Sequence, residues 1–233
     1  VSSIFARHLF LPVSAFSPSL PSTLFRKEIP MPSLKYFLVR VCLLVSLWPV
    51  CSLHSIANAP RYEIPVSARL WRASLDTAIA QIGVQEATGR NDGARVAAYL
   101  QSVGLPQGNP YCYAGLYWSM VRAARAVQEP VILLKSGLAS AGFNHAKRIG
   151  VRSQIQSPQR ADFIFWKFAR TPSGHVARIV SVGRAGWIET IEFNTSPATG
   201  GNQRDGGGVY KRKRNTRYPL GRMSLYGYIG ATS

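Results

Sequence analysis

The period of the hydrophobic pattern changes once along this chain, and that change limits the folds open to it. In the stretch VSARLWRASLDTAIAQI (66–82) the apolar residues Leu70, Leu75, Ile79 and Ile82 recur at near-helical spacing and stop at Gly83. Further helices are predicted over 92–103, ended by Gly104, over 111–127 after the loop GLPQGNP, and over 140–148. Beyond Pro158 the period falls to two and β-branched and aromatic residues dominate. Short strands are predicted at 162–168 (DFIFWKF), 175–182 (HVARIVSV), 187–193 (WIETIEF), 209–212 and 225–229, with glycines between them. Helices followed by strands, without βαβ alternation, predict an α+β domain with an antiparallel sheet.

The first 59 residues have a different character. They carry Arg7, Arg26, Lys27, Lys35 and Arg40 against the single acid Glu28. From Met31 a short basic stretch leads into the apolar run VCLLVSLWPVCSL (41–53) and then Ala57-Asn58-Ala59, the layout of a secretory signal peptide with an A-x-A cleavage site. A membrane span needs about 20 apolar residues; this run is shorter, contains Pro49 and is closed by His54. Residues 1–30 are expected to be an over-extended N-terminus, 31–59 the signal peptide, and 60–233 one domain, exported to the periplasm or the exterior. An Arg- and Ser-rich organellar transit peptide is the alternative for the N-terminal segment.

With 46% hydrophobic and 16% charged residues the chain can bury a core, which excludes whole-chain disorder. Three cysteines and no C-x-x-C pair exclude a disulfide scaffold and the usual structural zinc site, so no metal or other cofactor is expected. The net charge is +18. Cleavage after Ala59 would remove five of the 28 basic residues and one of the 10 acids, leaving +14 and no predicted membrane span. It would also remove Cys42 and Cys51, so that Cys112 stands alone in an exported chain. Such a thiol is buried and inert, paired between chains, or chemically used.

Cys112 follows Gly108-Asn109-Pro110 and opens the third helix, where unsatisfied N–H groups and the helix dipole favour negative charge. A plain packing cysteine is the alternative. A nucleophilic thiol needs a histidine to hold its proton and a third polar group to orient the ring. After signal removal only His145 and His175 remain. His145 sits among small residues on a helix, whereas His175 starts a strand after Ser173-Gly174. Asn194 ends the next strand, one hairpin away, and Glu192 falls on the same strand face by alternation. Asp162 suits a turn cap before its strand.

The order Cys112, His175, Asn194 resembles the NlpC/P60 and CHAP superfamily of papain-like cell-wall hydrolases. The stretches that carry the likeness are NPYCYAGLYW, ADFIFW, GHVARIV and IEFN, within roughly 83–230. The resemblance implies a papain-like fold, with the nucleophile helix packed on the sheet. It implies hydrolysis of amide bonds in peptidoglycan stem peptides, by an amidase or an endopeptidase. Cys112 would be nucleophile, His175 base and then acid, and Asn194 the orienting group; Tyr111 would border the oxyanion site and Glu192 would assist. One departure is Val180, five residues after the histidine, where some CHAP members have glutamate.

The excess positive charge fits attraction to peptidoglycan and to anionic wall or surface polymers. Lys211, Arg212, Lys213, Arg214 and Arg217, interleaved with Tyr210 and followed by Tyr218, have two readings: a polyanion surface, or an edge strand guarded by charge against aggregation. A secreted polyanion-binding module on the same scaffold, without catalysis, is therefore the second functional reading.

Overall fold

The first helix, α1 (Ala68–Ile79), is started by Ser67, whose hydroxyl accepts from the Leu70 N–H at 3.2 Å. The same hydroxyl donates to Glu129 at 2.9 Å and ties this helix start to a segment 62 residues further along the chain. In this computed structural model the described residues are 67–154, 157–197, 202 and 206–231, all within the compact unit Asn58–Ser233. The signal peptide expected over 31–59 and the start at Met31 lie outside them. Helix α2 (Ala94–Val103) ends where Gly104 turns left-handed (φ 82°). Helix α3 (Cys112–Val127) is the central one, burying Ala114, Leu116, Met120, Ala123 and Ala124, and α4 (Ala139–Arg148) follows. No helix among the described residues is long and apolar enough to cross a membrane.

Among the described residues six strands form one antiparallel sheet: β1 (Arg152–Gln154), β2 (Phe163–Lys167), β3 (Gly174–Val182), β4 (Trp187–Thr195), β5 (Gly208–Asn215) and β6 (Ser224–Gly230), in the order β1-β6-β2-β3-β4-β5. The α+β architecture expected from the change of period is the one observed. Strand β1 escaped the sequence reading because Arg-Ser-Gln is too short and polar to show alternation; pairing with β6 makes it a strand. Strand β5 runs past its predicted end at 212 because Lys213, Arg214 and Asn215 carry no apolar signal.

Both sheet faces are covered, which explains why DFIFWKF is nearly continuously apolar. Phe163, Phe165, Val176, Ile191, Phe193 and Ile229 pack in the cluster that holds the helices. Ile164, Trp166, Ala177, Ile179 and Ile188 face the other way, under Leu220 and Met223 from the β5–β6 connection. Arg178 is a buried cation on the helix side. Its guanidinium lies 4.0 Å from the Phe163 ring centroid and 5.0 Å from that of Trp71, and donates to the Trp71 carbonyl at 2.6 Å. Burial pulls its pKa down, to about 9, against the pull of the Asp162 and Asp76 charges. Asp162 does cap its turn, accepting from the Gln159 N–H at 2.8 Å, and it also pairs with Arg152. Burial outweighs those contacts and raises its pKa to about 6.

The helix that carries Cys112 lies directly on β4. A methyl group at Gly115 would fall 2.1 Å from the Phe193 ring, so glycine is what allows the first turn of α3 to rest against the sheet.

Candidate active site

The loop Gly104 to Pro110 delivers the chain to α3 with Tyr111 as N-cap and no side chain capping the first turn. The early N–H groups are therefore left without a side-chain acceptor beside Cys112. Cys112 is the free cysteine of the described residues and is 5% exposed. Tyr111 turns inward and stacks on Tyr99 with ring centroids 6.0 Å apart, so its side chain is in the core and does not line the cleft.

His175 follows Gly174 at the start of β3. A Cβ at Gly174 would lie 2.2 Å from the Trp166 carbonyl oxygen, so the glycine of GHV permits β3 to pair closely with β2. The loop before it is held to α4 by the Ser140 hydroxyl, which donates to the Pro172 carbonyl at 2.6 Å. The His175 ring is not at an open rim. It is fully buried, with the Trp166 indole stacked 6.2 Å away. Its Nε2 bonds Glu192 Oε2 at 3.0 Å. Nδ1 makes no hydrogen bond, and the Cys112 thiol is a neighbour of the ring that favours its protonated form. Loose geometry between a nucleophile and its base is usual without substrate. Cys112 and His175 are thus neighbours in the fold.

The ring contact assigned from sequence to Asn194 is made by Glu192. Strand alternation would set both residues on one face, but the β4–β5 register shifts between Glu192 and Thr195 and Asn194 adopts φ 57°. That irregularity breaks the period of two. Asn194 is buried at the strand end, its carbonyl accepting from the Gly206 N–H at 3.2 Å. The β3–β4 ladder begins only at Arg178↔Ile191, so His175 and Glu192 sit where these two strands part.

Sequence reasoning missed what holds Glu192. Arg214 donates through Nε to Oε1 at 2.8 Å and through Nη2 to Oε2 at 2.6 Å, a two-pronged clamp. The Thr190 hydroxyl adds a bond to Oε1 at 2.7 Å. Lys211 and Lys213 turn outward on β5 and Arg212 and Arg214 inward, a division that four successive cations do not show in sequence. Burial alone would raise the Glu192 pKa, but the Arg214 and His175 contacts overcome it and hold the carboxyl down, at about 2. Burial likewise disfavours the His175 imidazolium, yet the Cys112 thiol and the Glu192 carboxylate beside the ring raise its pKa to about 9. His145 stands apart on α4, with Arg148 at 3.0 Å from its Nδ1.

The cleft beside Cys112 has a volume of about 430 Å³. Leu105, Asn109, Pro110, Ser136, Leu138 and Ser173 are among its lining, which contains no charged side chain. Among the described residues no three His, Cys, Asp or Glu side chains converge as metal ligands would.

Fold and site together define an α+β protein in which a helix-opening cysteine meets a sheet-borne, carboxylate-bound histidine at the end of a neutral cleft. No family model and no curated protein matches the chain. Among solved structures it is similar to the crystal structure of Ly7917, at 17% identity and a TM-score of 0.42. It is similar also to the crystal structure of Ly7917 with the hydrolyzing product of MDP, at 16% and 0.41. In both cases the match covers 69% of this chain and 62% of the other, so the chain spans about three fifths of the length of those proteins.

Proposed function

We propose that this protein is an exported cysteine hydrolase of the papain-like, NlpC/P60 and CHAP type, cleaving amide bonds of peptidoglycan stem peptides. The observation that carries the catalytic part is the buried His175 ring, bonded to the Glu192 carboxylate and kept protonated with the help of the neighbouring Cys112 thiol. The substrate class rests on the resemblance in NPYCYAGLYW, GHVARIV and IEFN.

Chemically, the Cys112 sulfur attacks the amide carbonyl as a thiolate, its proton held on His175. A C–S bond forms, and negative charge gathers on the carbonyl oxygen near the N–H groups of the first turn of α3. The C–N bond then breaks as His175 protonates the leaving amine. Water, deprotonated by His175, attacks the thioester; the C–O bond forms, the C–S bond breaks, and the thiolate is released beside the once more protonated His175, as at the start. Glu192, locked by Arg214, keeps the ring aligned through both halves of the reaction.

The test is mass analysis of muropeptides after digesting purified sacculi with residues 60–233. New peptide ends should appear, and Cys112→Ala should abolish them. Sacculi left intact by a protein whose Cys112 still reacts with iodoacetamide would rule out peptidoglycan as the substrate.

A further inference from the structure

The far end of the β3–β4 hairpin carries a second surface that the proposed hydrolysis does not use, and the inference drawn from it does not depend on that reading. Trp187 is 44% exposed and Tyr218 67% exposed, unusual for large aromatics in a chain whose core accommodates so many others. The Lys213 ammonium lies 5.1 Å from the Trp187 ring centroid. A hollow of about 380 Å³ opens beside the indole, lined by Ser181, Arg184, Glu189 and Lys213 among others. A smaller one of about 160 Å³ shares Trp187 and Lys213 and is edged by Tyr218. Gly174 lines the catalytic cleft and Ser181 the hollow, so roughly 23 Å of strand separates them at about 3.3 Å per residue.

We infer that this surface binds an acidic glycan, with a sugar ring lying on the Trp187 indole. An exposed indole offers a flat apolar face, which suits the C–H face of a pyranose. Around it stand the groups that ring hydroxyls need: the Ser181 hydroxyl and the Glu189 carboxylate, already bonded to each other at 2.9 Å. Glu189 also pairs with Lys211 at 3.0 Å, which leaves Arg184 and Lys213 as the exposed cations facing the hollow. Those two select an anionic sugar over a neutral one. The Glu189 carboxylate accepts from ring hydroxyls, which a glycan carries on every ring and an oligothymidylate backbone lacks, and this favours a glycan over a nucleic acid. Because the cleft lies a strand's length away, a polymer held here leaves Cys112 accessible and raises the local concentration of chain around it.

The experiment measures binding of the full chain to oligogalacturonate, neutral dextran and a single-stranded oligothymidylate at several salt concentrations. Oligogalacturonate should bind best, less well as salt rises. Trp187→Ala should weaken it by about tenfold, a change of about 1.4 kcal/mol; Trp187→Phe should keep most of the affinity, and Arg184→Gln with Lys213→Gln should remove the preference over dextran. Iodoacetamide labelling of Cys112 should be unchanged in all three variants, which shows that they are folded. Equal affinity of wild type and Trp187→Ala would overturn the inference, as would tighter binding of the oligothymidylate or no oligogalacturonate binding at all.

Discussion

At His175 burial and partnership oppose each other, and partnership wins: the ring is raised from its ordinary 6.5 to about 9 although no part of it reaches solvent. A histidine whose folded pKa lies above its unfolded value stabilises the fold fully below about 6.5, and that contribution is lost as the pH rises through about 9. Glu192 works in the other direction, contributing above about 4.5 and losing its effect as the pH falls through about 2. Between about 4.5 and 6.5 both contributions are complete. Thermal melts of wild type should therefore fall on the alkaline side, and Glu192→Gln should flatten that fall, so that the wild-type curve minus the variant curve declines as the pH rises. If the difference curve is level from pH 6 to 10, Glu192 is not what holds the proton on His175. On activity, His175→Ala should cost about 10²- to 10⁴-fold and Glu192→Gln about 10²-fold. Asn194→Ala should cost less than Glu192→Gln, because its side chain does not hold the ring; kcat/KM on a soluble amide substrate decides the ranking.

Among the elements, α3 and β4 set the site between them. The nucleophile stands where it does because Gly115 lets the first helical turn rest on Phe193, a side chain whose burial contributes about 1.5 to 3 kcal/mol. Gly115→Ala should push the two apart and destabilise by about 1 to 3 kcal/mol, seen as a lower urea midpoint. It should also slow Cys112 alkylation at pH values where the fold is intact, since the sulfur moves relative to His175. A normal midpoint with normal labelling would mean that the helix shifts without cost and that the close contact has no role in placing the thiol.

For the molecule as a whole, the edge strand is coupled to the centre. β5 guards the sheet edge with Lys211 and Lys213, as a charged edge should, but it also sends Arg214 inward to Glu192. Arg214→Met would strand a fully buried carboxylate, and breaking a buried pair in this way costs about 3 to 5 kcal/mol. Chemical denaturation should register that loss, and Arg214→Lys should recover part of it. A loss under about 1 kcal/mol would show that solvent reaches Glu192 once the guanidinium is gone.

The order of periods, helical and then twofold, determined the α+β class, because each element's burial is written in its own spacing. The helix-opening position of Cys112 and the strand-opening position of His175 could be read locally, from Asn-Pro before one and Ser-Gly before the other. Which side chain holds the imidazole could not. Alternation placed Glu192 and Asn194 on one face, and a register irregularity at Asn194 separated them; such an irregularity is a property of two strands paired together, so it leaves no trace in either strand alone. The inward turn of Arg214 was equally hidden, since an alternating Lys-Arg strand reads as uniformly charged until the sheet decides which face of it is buried.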